Sequence, residues 1–205
     1  MIAVVGTGRA TAAPDVVRVR LTATAVRPSL AGALSDSEAA AARVRAALGE
    51  LGVPAADATT QGLSVQAEQA WTEQEGSRVT GFRSDHELAI TVRDLASVGR
   101  VLGDVLAAGG DDVRLGGVEF AVEDDTELRE AARTLAWWDA HGRASQLAGL
   151  AGRRLGAVQQ ITEQTGYSPG PVVPMRMLAS AAKEVGVEPG TVGVEVSLSV
   201  QWALD

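Results

Sequence analysis

The sequence predicts an α+β fold in which mainly antiparallel strands pack against two or three long helices. The last strand is the clearest, because apolar residues alternate with small or polar residues throughout residues 192–202. Long stretches with apolar residues three, four and seven positions apart predict amphipathic helices. The apolar content is dominated by 36 Ala and 26 Val against 3 Ile and few aromatic residues, so we expect small side chains to be packed closely.

In the first half of the chain, period-two alternation over residues 16–26 predicts a strand that ends at Pro28. Ser29 can cap a helix that runs from Leu30 to Gly52. Two further alternating runs, residues 63–71 and 82–92, flank a polar segment and predict an antiparallel hairpin. Asp94 can cap a shorter helix, which Gly109 and Gly110 end.

In the second half, alternation predicts strands over residues 113–122 and 157–163. Between them lies the longest predicted helix, from about Asp125 to Ala151. Its alanines recur at four-residue spacing, which allows a neighbouring element to approach closely. Residues 165–190 contain four of the 7 prolines and predict a long Pro- and Gly-containing loop, of a kind that is often functional or oligomer-forming. The chain is predicted to form one domain, residues 1–205, or two intimately packed halves.

Composition excludes several classes of function. There is no Cys, so thiol chemistry and Cys-based metal sites are absent. The net charge of -8 disfavours nucleic acid as a partner, because such binding needs a basic surface. No stretch approaches the ~20 apolar residues of a spanning helix, so no integral membrane segment is predicted. Residues 1–5 are too short for the apolar core of a signal peptide. The sequence as written is therefore predicted to be cytoplasmic, with an envelope or secreted location if a leader has been removed.

Few residues are candidates for catalysis or for binding a ligand. Gly6-Thr7-Gly8 lacks the third glycine and the following helix of a dinucleotide-binding turn, and we interpret it as a bulge or turn between strand segments. Of the two histidines, His86 is predicted to lie on the apolar face of its strand and His141 on a helix surface. The acidic residues around Asp124 fit the first turn of a helix better than a metal site.

Trp137 and Trp138 are consecutive, so their side chains diverge by about 100° around the helix. We expect one to lie in the core and the other to be partly exposed, as an anchor for a partner.

A series of short motifs in a fixed order resembles the SIMPL-domain family. They are listed here in chain order: Gly6-Thr7-Gly8, Ala13-Pro14-Asp15, Leu51-Gly52-Val53, Gly81-Phe82, Ala108-Gly109-Gly110, Val118-Glu119-Phe120, Asp139-Ala140, Arg143-Ala144, Leu155-Gly156 and the strand after Gly190. The resemblance implies an α+β fold, a tendency to oligomerise and, for many bacterial members, export to the envelope. It implies no catalytic residues. The Trp137-Trp138 pair and the missing export signal depart from the family pattern.

The predicted function is that of a non-enzymatic, oligomer-forming interaction or scaffold protein with a protein partner or further copies of itself. Its candidate contact surface comprises Trp137, Trp138, Tyr167, Met175 and Met177. The alternative is a small-ligand-binding protein or a hydrolase-type enzyme that uses His86 with Asp85 or Glu87. No cofactor, metal ligand or catalytic residue is predicted.

Overall fold

The computed structural model describes residues 1–72, 76–164 and 190–205, and these residues form two compact units. Unit 1 contains residues 1–14, 122–164 and 190–205, and unit 2 contains the described residues between 15 and 121. The strands are β1 (Ile2–Ala12), β2 (Val16–Arg27), β3 (Ala58–Thr72), β4 (Gly76–Val92), β5 (Val113–Ala121), β6 (Leu155–Gln164) and β7 (Val192–Leu204). The helices are α1 (Leu30–Glu50), α2 (Val98–Gly109) and α3 (Thr126–Leu150), with single 3-10 turns before and after α2 and before β3. The predicted α+β class is confirmed.

Unit 2 is a four-stranded antiparallel sheet with the strand order β3-β4-β2-β5. The alternating apolar residues of β2 and β4 face α1 and α2, and together they form one buried core. Helix α1 begins where Ser29 predicted it, because the Ser29 hydroxyl accepts a hydrogen bond from the Gly32 amide at 3.2 Å. The Asp94 carboxylate accepts from the Ala96 amide, but it caps the 3-10 turn that leads into α2.

Unit 1 is a three-stranded antiparallel sheet with the order β1-β7-β6, and α3 covers one face of it. The register pairs Ile2 with Trp202 and continues without a shift to Ala12 and Val192. The core combines the inward side chains of β7 with the alanines of α3 that recur every four residues from Ala132. The close packing expected from this row of alanines is therefore observed.

The Gly6-Thr7-Gly8 interpretation was wrong: these residues lie in the middle of the regular strand β1 and form neither a bulge nor a turn. Their role is to let α3 approach. A Cβ atom built on Gly6 would lie 2.2 Å from the Ala136 carbonyl oxygen and 2.5 Å from the Ala140 amide nitrogen. Gly8 is crowded in the same way, since its Cβ would lie 2.1 Å from the carbonyl oxygen of Ala132. The backbone of α3 therefore packs directly against the backbone of β1.

The segment of residues 165–190 was predicted as a long loop, and up to residue 189 it lies outside the described residues. The same holds for Tyr167, Met175 and Met177 of the candidate contact surface. Their predicted role stays a prediction.

Candidate interaction surface

His86 lies in β4 under α1, and it is only 4% exposed. Its Nε2 atom is 3.0 Å from the hydroxyl of Thr60 on β3, while its Nδ1 atom is buried without a hydrogen-bond partner among the described residues. Two residues earlier on the same strand, the Ser84 hydroxyl pairs with the Ser37 hydroxyl of α1 at 2.8 Å, also fully buried. His86 is thus part of a small polar cluster sealed between helix and sheet.

The surroundings of His86 favour its neutral form. Burial lowers the pKa of the imidazole below its ordinary value, the positive charge of Arg45 lowers it further, and Glu38 acts in the opposite direction. Neither of the carboxylates considered as its partners faces it. The Asp85 side chain accepts a hydrogen bond from the Thr24 hydroxyl at 2.7 Å, and Glu87 lines a shallow pocket with Arg20 and Thr22 on the opposite face of the sheet. Within the described residues, neither Asp85 nor Glu87 therefore pairs with His86.

The acidic residues around the start of α3 serve the helix itself. The Asp124 carboxylate accepts a hydrogen bond from the Thr126 amide at 3.0 Å, and its hydrogen bonds with Thr126 lower its pKa. Asp125 forms an ion pair with Arg129 one turn later. Within residues 1–72, 76–164 and 190–205, no group of three or more His, Asp or Glu residues is placed to hold a metal ion.

The two consecutive tryptophans of α3 diverge as their spacing indicated. Trp137 is half-buried, and its ring centroid lies 6.0 Å from that of Trp202, which is fully buried in β7. Trp138 is 62% exposed and meets His141 edge-on at 6.0 Å. His141 is half-buried rather than on the surface as predicted, because its ring also approaches Trp137 and Trp202. The four rings form an aromatic cluster that runs from the core to solvent.

Strand β6 presents further exposed apolar side chains on the α3 face of the sheet. Val158 pairs with Trp202 and Ile161 pairs with Val200, so both point to the side of the sheet that α3 covers. The helix covers β1 and β7 but barely reaches β6, and Val158 and Ile161 are 41% and 54% exposed. We call Trp137, Trp138, His141, Val158 and Ile161 the α3–β6 surface.

An ion pair closes one end of the α3–β6 surface. The Nε and Nη2 atoms of Arg133 on α3 donate to the two carboxylate oxygens of Glu163 on β6, at 2.9 and 3.2 Å. This pairing raises the pKa of Arg133 and lowers that of Glu163. Sequence reasoning missed Val158, Ile161 and this ion pair. No sequence signal identified them: the three-residue spacing of Val158 and Ile161 indicates opposite faces of a regular strand, and the two share a face because a bulge lies between them.

The opposite edge of the sheet is closed by another pair of side chains on α3. The Thr7 amide of β1 donates to the Asp139 carboxylate at 2.9 Å, and Arg143 donates to the Val5 carbonyl at 3.3 Å. Asp139 and Arg143 are themselves joined at 3.0 Å, one turn apart. Two backbone groups of β1, the Thr7 amide and the Val5 carbonyl, are therefore already bonded to α3.

Comparison with known proteins assigns the chain to a family. The sequence profile of SIMPL, described as "Protein of unknown function (DUF541)", matches residues 2–202. The chain belongs to the SIMPL family. The resemblance drawn from its short motifs is thereby confirmed, and the structure explains several of them. Gly6, Gly8 and Ala140 allow the close contact of β1 with α3, and Asp139 and Arg143 close the β1 edge.

Two curated relatives of this SIMPL protein are both called 26 kDa periplasmic immunogenic protein. One is from Brucella melitensis biotype 1 and the other from Brucella abortus strain S19. Each is 29% identical over 167 residues, which is 79% of this chain. The alignments span 66%, just under two thirds, of the length of these relatives. Among the described helices, none has the length and apolar character needed to cross a bilayer.

Proposed function

We infer that this SIMPL protein is a non-enzymatic interaction or scaffold protein that assembles with further copies of itself through the α3–β6 surface. The observation that carries this proposal is the exposed Trp138, whose ring contacts the half-buried His141, which in turn contacts the buried Trp202. Val158 and Ile161 add exposed apolar side chains on the face of the sheet that α3 covers. Trp is enriched among the residues that dominate binding energy at protein interfaces.

The ring contacts beneath Trp138 support a role for this exposed side chain in binding. His141 holds its edge, and His141 in turn contacts Trp202, which is only 1% exposed. Such a contact restrains the indole ring and reduces the conformational entropy that it loses on binding. Burial of an aromatic side chain with its apolar neighbours contributes about 25 cal/mol per Å² of apolar area removed from water.

The placement of His86 supports a non-enzymatic role. Acid-base or nucleophilic catalysis needs a nucleophile, a base and an orienting group that converge on an accessible site. His86 is sealed under α1, and Asp85 and Glu87 point to the other face of the sheet. The alternative, a small-ligand-binding protein or a hydrolase-type enzyme that uses His86, would need α1 to move away from β4.

The names of the relatives support an envelope location over the cytoplasmic one predicted from the sequence. Both Brucella proteins are described as periplasmic. We propose the same compartment for this chain. Expression of the full-length gene product followed by osmotic-shock fractionation tests it, and recovery in the spheroplast fraction would contradict it.

Sedimentation velocity and light scattering over a wide concentration range test self-assembly. The wild type is expected to form an oligomer, and Trp138→Ala is expected to shift it toward the monomer. Trp71→Ala is the matched control, because Trp71 is 71% exposed but lies on β3 of unit 2. A wild type that stays monomeric at every concentration refutes the proposed function. A loss of assembly in Trp71→Ala alone moves the interface to the β3–β4 hairpin.

A further inference from the structure

Two charged side chains of opposite sign lie side by side on the unit 2 sheet without binding each other. Arg20 on β2 and Glu87 on β4 are both exposed, on the face of the sheet away from α1 and α2. The register pairs Thr22 with Glu87 and Arg20 with Ala89, so Arg20 and Glu87 are diagonal neighbours. Long side chains at such positions can reach each other. Within the described part of the chain, however, neither side chain forms a hydrogen bond or an ion pair.

Glycines on the two outer strands explain why these side chains stay apart. Gly117 of β5 pairs with Arg20, and a Cβ atom built on Gly117 would lie 3.4 Å from the Arg20 Nη2 atom. Gly62 of β3 pairs with Glu87, and its Cβ atom would lie 3.5 Å from the Glu87 Oε2 atom. Each charged side chain therefore extends over a glycine of its outer neighbour. Because the strand order is β3-β4-β2-β5, the two side chains lean away from each other.

Two β-bulges lie at the same level of the sheet as these charges. One inserts Gly116 into β5 beside Arg20, and the other inserts Gln61 into β3 beside Glu87. Bulges are frequent beside functional sites, where they redirect side chains and interrupt strand pairing. Both bulge residues line one shallow cavity of about 180 Å³ together with Arg20, Glu87 and Thr22. The two bulges and the two unpaired charges therefore meet at a single cavity.

We propose that this cavity binds a small zwitterion, a molecule of amino-acid size that carries one carboxylate and one protonated amine. The ligand carboxylate accepts hydrogen bonds from the Arg20 guanidinium, whose planar donors match it, and the ligand amine donates to the Glu87 carboxylate. Thr22 and Gln61 supply further polar groups to the cavity. Its volume is below the range of about 300–1,000 Å³ that holds drug-sized ligands, so the ligand is small.

The charges and the lining of the cavity favour a zwitterion over other small ligands. A simple anion would be repelled by Glu87, and a simple cation would be repelled by Arg20. No aromatic side chain is among the described residues that line the cavity, and aromatic rings are the usual platform for a nucleobase. The site lies in unit 2 and uses no residue of the α3–β6 surface. It is therefore independent of the proposed self-assembly.

Amide NMR titrations of the isotope-labelled full chain with small zwitterions test the proposal. The probes are glycine, β-alanine and γ-aminobutyrate, which separate their two charges by different lengths. At least one of them is expected to shift the amide resonances of Thr22, Gln61 and Gly116 in a saturable way. Propionate and propylamine carry one charge each, and both are expected to bind more weakly than the best zwitterion by about tenfold or more.

Charge-neutralising variants assign the binding to the two side chains. Arg20→Gln and Glu87→Gln are each expected to weaken zwitterion binding by about tenfold or more, because each removes one partner of a charge-assisted hydrogen bond. Arg18→Gln and Glu119→Gln are the matched controls. These exposed residues pair with each other on the same face of the sheet, and they do not line the cavity. Circular dichroism verifies that all four variants keep the fold.

Three outcomes overturn the proposed site. They are the absence of saturable binding by every zwitterion, equal binding of propionate or propylamine, and an equal loss of binding in the control variants. None of these results bears on self-assembly, which sedimentation velocity measures separately.

Discussion

The contact between β1 and α3 gives the most sensitive prediction for the stability of unit 1. Gly6→Ala adds one methyl group where Cβ would lie 2.2 Å from the Ala136 carbonyl oxygen and 2.6 Å from the Ala140 Cβ. Real Cβ atoms do not approach backbone so closely. Because the nearest obstacles are helix backbone atoms, no side-chain rotation relieves the contact, and α3 has to move away from the sheet by about 1 Å.

The expected loss of stability follows from the gap that this displacement opens between α3 and β1. Overpacking in a well-packed core typically costs about 1–3 kcal/mol, and here one rigid helix must separate from β1 along its buried face. A gap of that size forfeits about a quarter to a half of the dispersion energy of the separated atoms. We therefore expect a loss of about 3 kcal/mol or more in the free energy of unfolding. That loss lowers the melting temperature by roughly 6–12 °C for a chain of this length.

Tryptophan fluorescence during urea denaturation measures this loss in unit 1, where Trp137, Trp138 and Trp202 all lie. Introducing Trp71→Phe into the wild type and every variant removes the tryptophan fluorescence of unit 2. Gly142→Ala is the matched control: Gly142 lies in α3, and a Cβ there meets nothing within 4 Å. Since Ala favours a helix over Gly, Gly142→Ala is expected to stabilise by up to about 1 kcal/mol.

A second substitution distinguishes crowding by backbone atoms from crowding by side-chain atoms. Ala140→Gly removes one of the three nearest atoms but leaves the Ala136 carbonyl oxygen and the Ala140 amide in place. It is therefore expected not to rescue Gly6→Ala. A Gly6→Ala protein within about 0.5 kcal/mol of the wild type, or full rescue by Ala140→Gly, would refute the reasoning, because either result requires slack between β1 and α3.

Three further predictions concern other contacts. Burial and Arg45 lower the pKa of His86, so the imidazole binds a proton more readily in the unfolded chain than in the folded one. The free energy of unfolding is therefore highest above about pH 6.5 and falls as the pH drops from there toward the lowered pKa. Urea titrations between pH 5 and 8 should show this pH dependence in the wild type and not in His86→Leu. Asp139→Ala should cost about 1 kcal/mol in urea denaturation, since it leaves the Thr7 amide to water, and light scattering should detect association through the opened β1 edge; unchanged stability together with unchanged scattering argues against the edge role. Trp202→Ala should lower the free energy of unfolding by about 3–5 kcal/mol, and a loss under about 1 kcal/mol would show that the aromatic cluster has no rigid base.

Local periodicity was enough to predict most of the fold. The alternation in β2, β4 and β7 and the alanine row of α3 each specify an element and its buried face without reference to the rest of the chain. The Gly6-Thr7-Gly8 error has a physical origin. A glycine needed for a turn and a glycine needed for close packing look the same in sequence, and the distinction depends on Ala136, some 130 residues away.

The candidate site was predicted only in part for a similar reason. Trp137 and Trp138 could be assigned to different environments from their spacing alone, because helix geometry is local. The contribution of β6 could not be predicted from local spacing, because the exposure of Ile161 depends on how far α3 extends across the sheet. The burial of His86 was anticipated from its strand face, whereas its Thr60 partner depends on the register between β3 and β4.

The pairing of Ile2 with Trp202 has a consequence for the order of folding. The described residues of unit 2 come from one continuous stretch of chain, but unit 1 takes strands from both ends, so its sheet cannot close until the ribosome has released β7. Until then β1 lacks β7, its strand partner among the described residues. A ribosome stalled before residue 192 should therefore display a protease-resistant unit 2 and a cleavable β1 on the same nascent chain.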